Sequence, residues 1–268
     1  MTRAKKRFGQ HFLSNPHLLD RIAAALDPQP GDRILEIGPG HGALTAALLG
    51  RGARITALEV DRDLIPGLVA RFPDVAVVAA DALEVDWHDL AGPADGGRWL
   101  IAGNIPYNIT TPLIDKALAP PRPAVVVFLV QKEVADRVTA RPGTAAYGAL
   151  SVGVQAVARA ERVFVVPAGA FQPPPKVDSA VIRLTPLESP LVTDREVPAF
   201  RRLVTGLFSY RRKQLLRGLR ELTGWPAERA VPVLTKLGVD ASLRPEVLAP
   251  AAFVALFRAL VDVGWSGE

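Results

Sequence analysis

The stretch ILEIGPGHGALT, residues 34–45, decides the fold because it reads as an apolar strand, a glycine-rich turn and the start of a helix. Gly38, Gly40 and Gly42 can adopt positive φ angles, and their lack of side chains lets a ligand approach the backbone. Their G-x-G-x-G spacing differs from the G-x-G-x-x-G of dinucleotide-binding turns, and no Lys followed by Ser or Thr completes a P-loop. The stretch therefore predicts a turn that binds a ligand without holding nucleotide phosphates. A purely structural turn is the alternative.

Strands and helices alternate on both sides of this turn. The predicted strands are 33–37, 54–60, 75–80, 99–103 and 125–130, and the predicted helices are 15–26, 43–49, 61–71, 111–118 and 131–139. Because the strands are continuously apolar, they are typical of a parallel sheet covered on both faces. Two later β-like runs, 162–166 and 180–184, could pair as an antiparallel edge. The sequence thus predicts an α/β fold with a Rossmann-like sheet.

The chain changes character around SPLVTD, residues 189–194. Beyond this point the pattern predicts short helices separated by Gly and Pro, at 197–207, 213–222, 226–237 and 251–263. We therefore place a domain boundary near residue 187. Residues 1–187 are predicted to form the main domain, beginning with a basic arm and helix (1–30), and residues 188–268 a small helical domain.

The composition is that of a globular protein, with 268 residues, 49% hydrophobic residues and a net charge of +5. No apolar run reaches the roughly 18 residues needed to span a bilayer, and no apolar segment follows the basic N-terminus, so neither a membrane span nor a secretory signal is expected. The chain has no cysteines, and its four histidines lack ligand spacing, so we expect no disulfide and no metal site. A cytoplasmic enzyme is the expected class.

Two acidic residues end the second and third predicted strands. Glu59, about 20 residues beyond the glycine turn, can accept hydrogen bonds from both hydroxyls of a ribose. Asp81 can accept one from the amino group of an adenine, although it could instead cap the following helix. A ligand with ribose and adenine but no phosphate clamp indicates S-adenosylmethionine as the cofactor.

The segment GNIPYN, residues 103–108, ends the fourth predicted strand. An adenine amino nitrogen is a poor nucleophile, because its lone pair is delocalised into the ring. Two acceptors, the Asn104 side-chain oxygen and the Ile105 carbonyl, would favour a tetrahedral nitrogen that can attack a sulfonium methyl in line. Pro106 would hold the Ile105 carbonyl in place, and Tyr107 would stack on a flipped base. An Asx turn with Tyr107 as a packing residue is the alternative.

Basic residues cluster near both ends of the chain and are typical of surfaces that bind nucleic-acid phosphates. The candidate RNA-binding residues are Lys5, Lys6, Arg7, Arg211, Arg212, Lys213, Arg217 and Arg220. The alternative is that the arginine-rich helices are only solvated and ion-paired.

Eight segments together resemble the ribosomal RNA adenine N6-dimethyltransferase family, and most closely its small-subunit members. They are KKRFGQHFL (5–13), EIGPGHGALT (36–45), LEVDRDL (58–64), DAL (81–83), GNIPYNITTPL (103–113), QKEVADRV (131–138), YGALSV (147–152) and FQPPPKVDSAV (171–181). In the C-terminal part, FSYRRKQL (208–215) is the most recognisable match.

The resemblance implies a seven-stranded S-adenosylmethionine-dependent methyltransferase domain followed by a small helical domain that binds rRNA. It implies cofactor contacts by His11, Leu13, Gly38, Gly40, Glu59, Asp81 and Asn104. It also implies that Asn104, Ile105 and Tyr107 hold the target adenine and that Phe171 stacks on its other face. Residues alone would make Phe171 a core aromatic. Many relatives have Asn where this chain has His11, which puts any amide contact at this position in doubt.

The activity that the resemblance implies is dimethylation of N6 of two adjacent adenosines near the 3′ end of 16S rRNA, linked to small-subunit assembly. One alternative is a 23S rRNA dimethyltransferase of the macrolide-resistance type, which shares the glycine turn and NIPY. FQPPPKVDSAV and FSYRRKQL favour the small-subunit enzyme. A second alternative is an assembly factor that binds rRNA without catalysis, and the set of cofactor residues speaks against it. We expect a monomer whose partner is 16S rRNA in the small subunit or its precursor.

Overall fold

A computed structural model describes Lys5, residues 9–92 and residues 97–267. Seven strands form its main sheet: β2 (Arg33–Ile37), β3 (Arg54–Glu59), β4 (Ala76–Ala79), β5 (Trp99–Asn104), β6 (Val125–Gln131), β7 (Ala158–Val166) and β9 (Ser179–Pro186). Their order is β4-β3-β2-β5-β6-β9-β7. Two short strands, β1 (Phe12–Leu13) and β8 (Phe171–Gln172), form a separate antiparallel pair.

The sheet is parallel from β4 to β6, and β9 joins β6 antiparallel. From β2, the next two strands along the chain add on one side and β5 adds on the other. The strand order therefore reverses between β2 and β5, and the crevice at the carboxyl ends of such strands is where open α/β sheets bind their ligands.

Eleven α-helices lie in the described ranges. They are α1 (Pro16–Leu26), α2 (Ala43–Leu49), α3 (Ile65–Arg71), α4 (Trp87–Ala91), α5 (Thr110–Ala117), α6 (Lys132–Val138), α7 (Ala149–Gln155), α8 (Val197–Ser209), α9 (Leu215–Thr223), α10 (Ala227–Lys236) and α11 (Pro250–Asp262). None of the helices in this part of the chain is long and apolar enough to cross a membrane.

Local sequence explains why these elements form. Every residue of β5 and β6 except the last of each is buried, which matches the continuous apolar runs expected of central parallel strands. At the start of α1 the Asn15 side chain accepts hydrogen bonds from the N–H groups of His17 and Leu18, at 3.0 and 3.2 Å, and Pro16 takes the first helical position. The sheet, with α1 and α2, encloses a core of hydrophobic side chains.

Two compact units make up the chain. The first contains residues 1–135 and 160–186, and the second contains residues 136–159 and 187–268. The boundary predicted at residue 187 coincides with one of these divisions, but residues 136–159 belong to the second unit and not to the main domain in which the sequence placed them. The reason is that α7 buries Leu150, Val152 and Val154 and packs against α8 and α11.

Most predicted elements are present, and their differences from the prediction have local causes. Helix α3 begins at Ile65 and not at Asp61, because residues 61–64 form a turn in which the Asp61 side chain accepts from the Asp63 N–H at 3.2 Å. Gln131 is the last residue of β6, paired with Ser179, and not the first residue of a helix. The short helix α4, the helix α7 and the β1–β8 pair were not predicted.

Candidate active site at the carboxyl edge of the sheet

A cavity of about 250 Å³ lies at the edge of the first unit where β2, β3, β4 and β5 end. Its lining comes from residues 9–12, the glycine turn, the ends of β3 and β4, and residues 104–109. Eight predicted site residues meet there: His11, Gly38, Gly40, Glu59, Asp81, Asn104, Ile105 and Tyr107. The strand ends thus bring together side chains that are up to 96 positions apart, as between His11 and Tyr107.

Glu59 is buried at the end of β3, and backbone N–H groups hold both of its oxygens. Oε2 accepts from Gly40 of the glycine turn at 3.1 Å, and Oε1 accepts from Asp61 at 2.8 Å. Burial raises the pKa of the Glu59 carboxyl, and the N–H groups of Asp61 and Gly40 oppose this shift. Each carboxylate oxygen can accept more than one hydrogen bond, so a fixed Glu59 can still accept from two ligand hydroxyls.

Asp81 is half-buried just beyond β4. Its Oδ1 accepts a hydrogen bond from the backbone N–H of Leu83 at 2.8 Å, so the carboxylate does stabilise the following turn. Asp81 also lines the cavity. One oxygen can therefore hold the turn while the carboxylate offers further acceptor capacity to a ligand.

Asn104 is the last residue of β5, and its side-chain Nδ2 donates to the carbonyl of His11 at 2.8 Å. A carbonyl can only accept, so this bond defines which end of the amide is the nitrogen. Oδ1 is consequently the acceptor end that Asn104 offers elsewhere. The bond uses the backbone of His11, so it does not depend on whether position 11 is His or Asn.

The turn after Asn104 is fixed by backbone contacts. The Ile105 N–H donates to the carbonyl of Leu129 at 3.0 Å, and the Ile105 side chain is buried. Pro106 has φ −57°, and its carbonyl accepts from the Thr110 hydroxyl at 3.2 Å. Pro106 thus has the φ angle expected of proline, and its predicted role in holding the Ile105 carbonyl stays a prediction.

Gly103 makes this packing possible. A Cβ added at this position would lie 2.6 Å from the Ile37 carbonyl oxygen and 2.9 Å from the Cδ1 atom of Ile105. Any side chain at position 103 would therefore displace β2 or the residue that precedes Pro106.

Tyr107 is held at both its hydroxyl and its ring. The hydroxyl lies 2.8 Å from Oγ of the buried Ser179, and the ring stacks against His11 with centroids 5.6 Å apart and planes at 26°. Nδ1 of His11 lies 2.8 Å from the carbonyl of Pro173 and therefore carries a proton in this contact. Burial raises the pKa of the Tyr107 phenol, with the Ser179 hydrogen bond opposing, so the group is neutral at physiological pH.

Leu13 and Phe171 lie elsewhere. They pair with each other across the β1–β8 ladder, are 5% and 4% exposed, and belong to the hydrophobic core of the first unit. Neither residue is among those that line the described cavity. Phe171 thus has the core position that its sequence alone would suggest. The stacking role implied by the resemblance stays a prediction, and it requires this ring to leave the core.

Three further residues contribute to the site without having been predicted. The ring of Phe12 lies against Gly40, where an added Cβ would approach it to 2.9 Å, and it contacts His41 with centroids 4.4 Å apart. Gln10 lines the cavity, and Ser179 holds Tyr107. Gln10, Phe12 and Ser179 belong to the segments 5–13 and 171–181 that carry the resemblance, which was the available signal.

Glu36 was not predicted either, and it is buried in β2 without being among the residues that line the described cavity. It is 1% exposed inside β2, and burial raises the pKa of its carboxyl to about 7, with the Glu59 carboxylate adding to the shift. An acid two residues before Gly38, inside an apolar strand, was the signal that could have identified it. The first unit therefore contains a buried carboxyl with a pKa near neutrality, and its ionisation is coupled to the charge of Glu59.

Among the basic residues predicted to bind RNA, some form ion pairs with carboxylates and others are exposed. The Lys5 ammonium lies 2.6 Å from Asp61 and 2.5 Å from Asp63, so a phosphate contact by Lys5 would compete with two carboxylates. Lys6 and Arg7 lie outside the described residues. Lys5 is therefore ion-paired in this structure, and its contact with RNA stays a prediction.

In the second unit, Arg211 binds Glu246 at 2.6 Å and the carbonyl of Ala145 at 2.8 Å. Arg217 is 3.9 Å from Glu221, a distance at which an exposed pair contributes little. The exposed members of the predicted cluster are Arg212, Lys213, Arg217 and Arg220. These four, and not Arg211, have the exposure expected of residues that meet phosphates.

The cavity fits S-adenosylmethionine by the chemistry of its lining. The glycine turn provides a backbone surface without side chains, Glu59 and Asp81 provide carboxylate acceptors, and Leu58, Val60 and Ile37 provide apolar surface for a base. No group of three His, Asp or Glu side chains within the described ranges is arranged to hold a metal ion.

Comparisons with known proteins identify the family of this chain. The chain is 44% identical to ribosomal RNA small subunit methyltransferase A of Geobacter metallireducens, over 98% of this chain and 97% of that protein. Its structure resembles a dimethyladenosine transferase from Plasmodium falciparum with TM-score 0.83 and 28% identity, covering 95% of this chain and 98% of that one.

The 23S rRNA methyltransferase ErmE is similar with TM-score 0.72 and 28% identity, covering 93% of this chain and 99% of that one. The profile that describes ribosomal RNA adenine dimethylases matches residues 1–259. The chain, which has the S-adenosylmethionine-dependent methyltransferase fold, belongs to the ribosomal RNA adenine dimethylase family.

Proposed function

We propose that this enzyme dimethylates N6 of two adjacent adenosines near the 3′ end of 16S rRNA, in the small ribosomal subunit or its precursor. The observation that carries the proposal is the fixed amide of Asn104 at the cavity where the strand order reverses. The 44% identity to a small subunit methyltransferase, over nearly the full length of both proteins, supports the small-subunit substrate.

Bound S-adenosylmethionine supplies an electrophilic methyl group. Glu59 would hold the ribose hydroxyls and Asp81 the adenine amino group, while Gly38 and Gly40 allow close approach to the backbone. Burial around Glu59 weakens competition from water for these hydrogen bonds. In this assignment the chain orients the methyl donor by hydrogen bonds and shape.

The target adenine would be held by the segment that follows β5. Asn104 Oδ1 and the Ile105 carbonyl would accept hydrogen bonds from the N6 amino group, and this favours a tetrahedral nitrogen whose lone pair is free to attack. The Asn104 acceptor is fixed in advance by the Nδ2–His11 hydrogen bond, and the Ile105–Leu129 hydrogen bond anchors the backbone next to the second acceptor. Pre-positioned acceptors of this kind stabilise a transition state because they need no reorganisation during the reaction.

Tyr107 would provide the stacking surface for the flipped base. Ser179 and His11 hold its ring at one orientation, which lowers the entropy lost when a base stacks on it. After the first methyl transfer, the monomethylated amino group still carries one N–H, so one acceptor bond can form during the second transfer.

Arg212, Lys213, Arg217 and Arg220 of the second unit would bind rRNA phosphates and orient the particle without taking part in the chemistry. We expect a monomer in the cytoplasm that needs no protein partner beyond the ribosome.

The test is incubation of the protein with labelled S-adenosylmethionine and with unmodified small-subunit particles, followed by mapping of the label. Label on two adjacent adenosines near the 3′ end of 16S rRNA is the expected result. Label on 23S rRNA, in a parallel incubation with large subunits, would instead establish the ErmE-like activity. Tight binding of particles without any label would favour a non-catalytic assembly role.

A further inference from the structure

The Asp61 side chain accepts several hydrogen bonds, although the proposed mechanism assigns no role to this residue. It is 2% exposed, and its Oδ1 accepts from the Lys5 ammonium at 2.6 Å. Its Oδ2 accepts from the side-chain Nε2 of Gln10 at 3.0 Å. The Lys5 backbone N–H in turn donates to the Gln10 side-chain oxygen at 2.8 Å. Asp61 therefore binds the side chains of both Lys5 and Gln10.

Gln10 is directly followed by His11, whose carbonyl accepts from Nδ2 of Asn104. Two consecutive residues are thus attached at two different places: Gln10 to Asp61 beyond β3, and His11 to Asn104 at the end of β5. In the sheet, β2 lies between β3 and β5. Two strand spacings amount to about 10 Å, so this pair of residues crosses the end of β2, where the glycine turn lies.

We propose that Asp61 is a positioning residue for methyl transfer, which acts through Gln10 and His11 on the amide of Asn104. The proposal rests on the function proposed above. When Asp61 holds Gln10, the His11 carbonyl stays in place and remains hydrogen-bonded to Nδ2 of Asn104. Oδ1 of Asn104 is then the end that faces the target amino group. Without this hold the amide can rotate and present its NH2 group, a donor that repels the N–H groups of the target.

The same arrangement connects the cofactor site to the target site. Gln10 and His11 line the cavity, and the Asp61 N–H donates to Oε1 of Glu59. Although burial opposes it, hydrogen bonds from Lys5 and Gln10 lower the pKa of the Asp61 carboxyl, so it is charged at physiological pH. Asp61 thereby contacts the segment that orients Asn104 through its carboxylate, and the residue that would hold the ribose through its backbone N–H.

A purely structural role for Asp61 makes a different prediction. Asp61 also organises the turn before α3, since its side chain accepts from the Asp63 N–H and its carbonyl accepts from the Leu64 N–H. If that were its whole role, loss of the Asp61–Gln10 contact would lower activity by the same factor whether or not Asn104 is present. If Asp61 acts through Asn104, loss of the Asp61–Gln10 contact should not lower activity further in a protein that already lacks the Asn104 side chain.

The experiment is a double-mutant cycle between position 10 and position 104, with single-turnover methylation of small-subunit particles as the readout. Gln10→Met keeps the length of the side chain and removes its hydrogen bonds. We expect it to lower the rate about tenfold in the wild-type background, the effect of one lost orienting hydrogen bond. In the Asn104→Ala background it should change the rate less than about twofold. Equal losses in both backgrounds, or no loss in the first, would overturn the proposal.

Two further variants separate the contacts of Asp61. Asp61→Asn should show the same dependence on Asn104 as Gln10→Met. Asp63→Asn is the matched control, because Asp63 binds Lys5 but has no contact with Gln10 among the described interactions. It should leave the rate near the wild-type value, and a loss equal to that of Asp61→Asn would contradict a specific role of Asp61.

A readout without catalysis distinguishes failure of this inference from failure of the proposed function. In protein labelled with ¹⁵N at asparagine and bound to S-adenosylhomocysteine, the side-chain amide protons of Asn104 should exchange more rapidly with solvent in Gln10→Met than in wild type. If wild-type protein methylates no small-subunit RNA but this change occurs, only the proposed function fails. If methylation is normal and the amide is unchanged, the positioning role fails.

Discussion

The side-chain nitrogen of Asn104 donates a 2.8 Å hydrogen bond to the carbonyl of His11, a residue 93 positions earlier in the chain. This contact explains why a buried strand can end in an amide. The donor end is satisfied inside the protein, and the acceptor end remains for a ligand. An N-terminal segment that lines the cofactor cavity therefore also sets the orientation of the group proposed to hold the target adenine.

We predict that Asn104→Ala loses most methyl transfer while the protein stays folded. Removing a fixed acceptor from a buried site typically lowers the rate by about 10²-fold or more. Single-turnover methylation of small-subunit particles measures the loss. Cofactor affinity must be measured separately by calorimetry, because Asn104 lines the same cavity as Glu59. A variant with near-normal turnover would exclude the acceptor role of Asn104.

We predict that Glu59→Ala strongly weakens the binding of S-adenosylmethionine, and that a chelator leaves binding to the wild-type protein unchanged. The variant removes both the proposed ribose acceptor and the hydrogen bonds to the N–H groups of Gly40 and Asp61. Calorimetric titration measures the affinity. Glu84→Ala, at an exposed glutamate outside the cavity lining, is the control and should bind normally. Unchanged affinity in Glu59→Ala would remove the ribose assignment.

The sequence predicted the parts of the site that depend on local pattern. The glycine turn, the acids at strand ends and Asn104 each follow an apolar strand, and parallel strands bring their carboxyl ends to one edge. The surroundings of Phe171 and Lys5 could not be predicted from local pattern, because they depend on contacts between distant segments. Phe171 is placed by the β1–β8 ladder, and Lys5 by its ion pair with Asp61. Such tertiary contacts leave no periodicity in the sequence. The assignment of residues 136–159 failed for the same reason.

We predict that Glu36→Gln changes the pH dependence of stability. The Glu36 carboxyl has a pKa of about 7 in the folded protein, above the ordinary value of 4.5. The penalty for keeping this group buried when it would otherwise ionise is therefore absent below about pH 4.5, grows as the pH rises toward 7, and is constant above it. Glutamine stays neutral, so the stability of the variant relative to wild type should increase between pH 5 and pH 8, by up to about 3 kcal/mol.

Thermal unfolding of both proteins at pH 5 and pH 8 provides this measurement. Glu84→Gln is a suitable control because Glu84 is exposed, and its offset from wild type should be nearly the same at both pH values. A constant offset for Glu36→Gln would show that the buried carboxyl does not titrate in this range.

The basic surface of the second unit gives the last prediction. Arg212 and Lys213 are exposed, and no carboxylate in the described part of the chain lies within ion-pair distance of them. If they bind rRNA phosphates, the double variant Arg212→Ala/Lys213→Ala should bind small-subunit particles more weakly. The dependence of its binding on salt should flatten by about one unit of slope per lost contact. Affinity for S-adenosylmethionine should not change, since these residues do not line the cofactor cavity.

Two comparisons make this prediction specific. Arg211→Ala should mainly lower the melting temperature, because it leaves Glu246 and the Ala145 carbonyl without the guanidinium that they share. Lys236→Ala, at an exposed lysine on α10, removes a charge outside the predicted cluster and should leave the salt slope near the wild-type value. If the double variant bound particles with an unaltered slope, Arg212 and Lys213 would be solvated surface residues, and the RNA-binding assignment would have to move to another part of the protein.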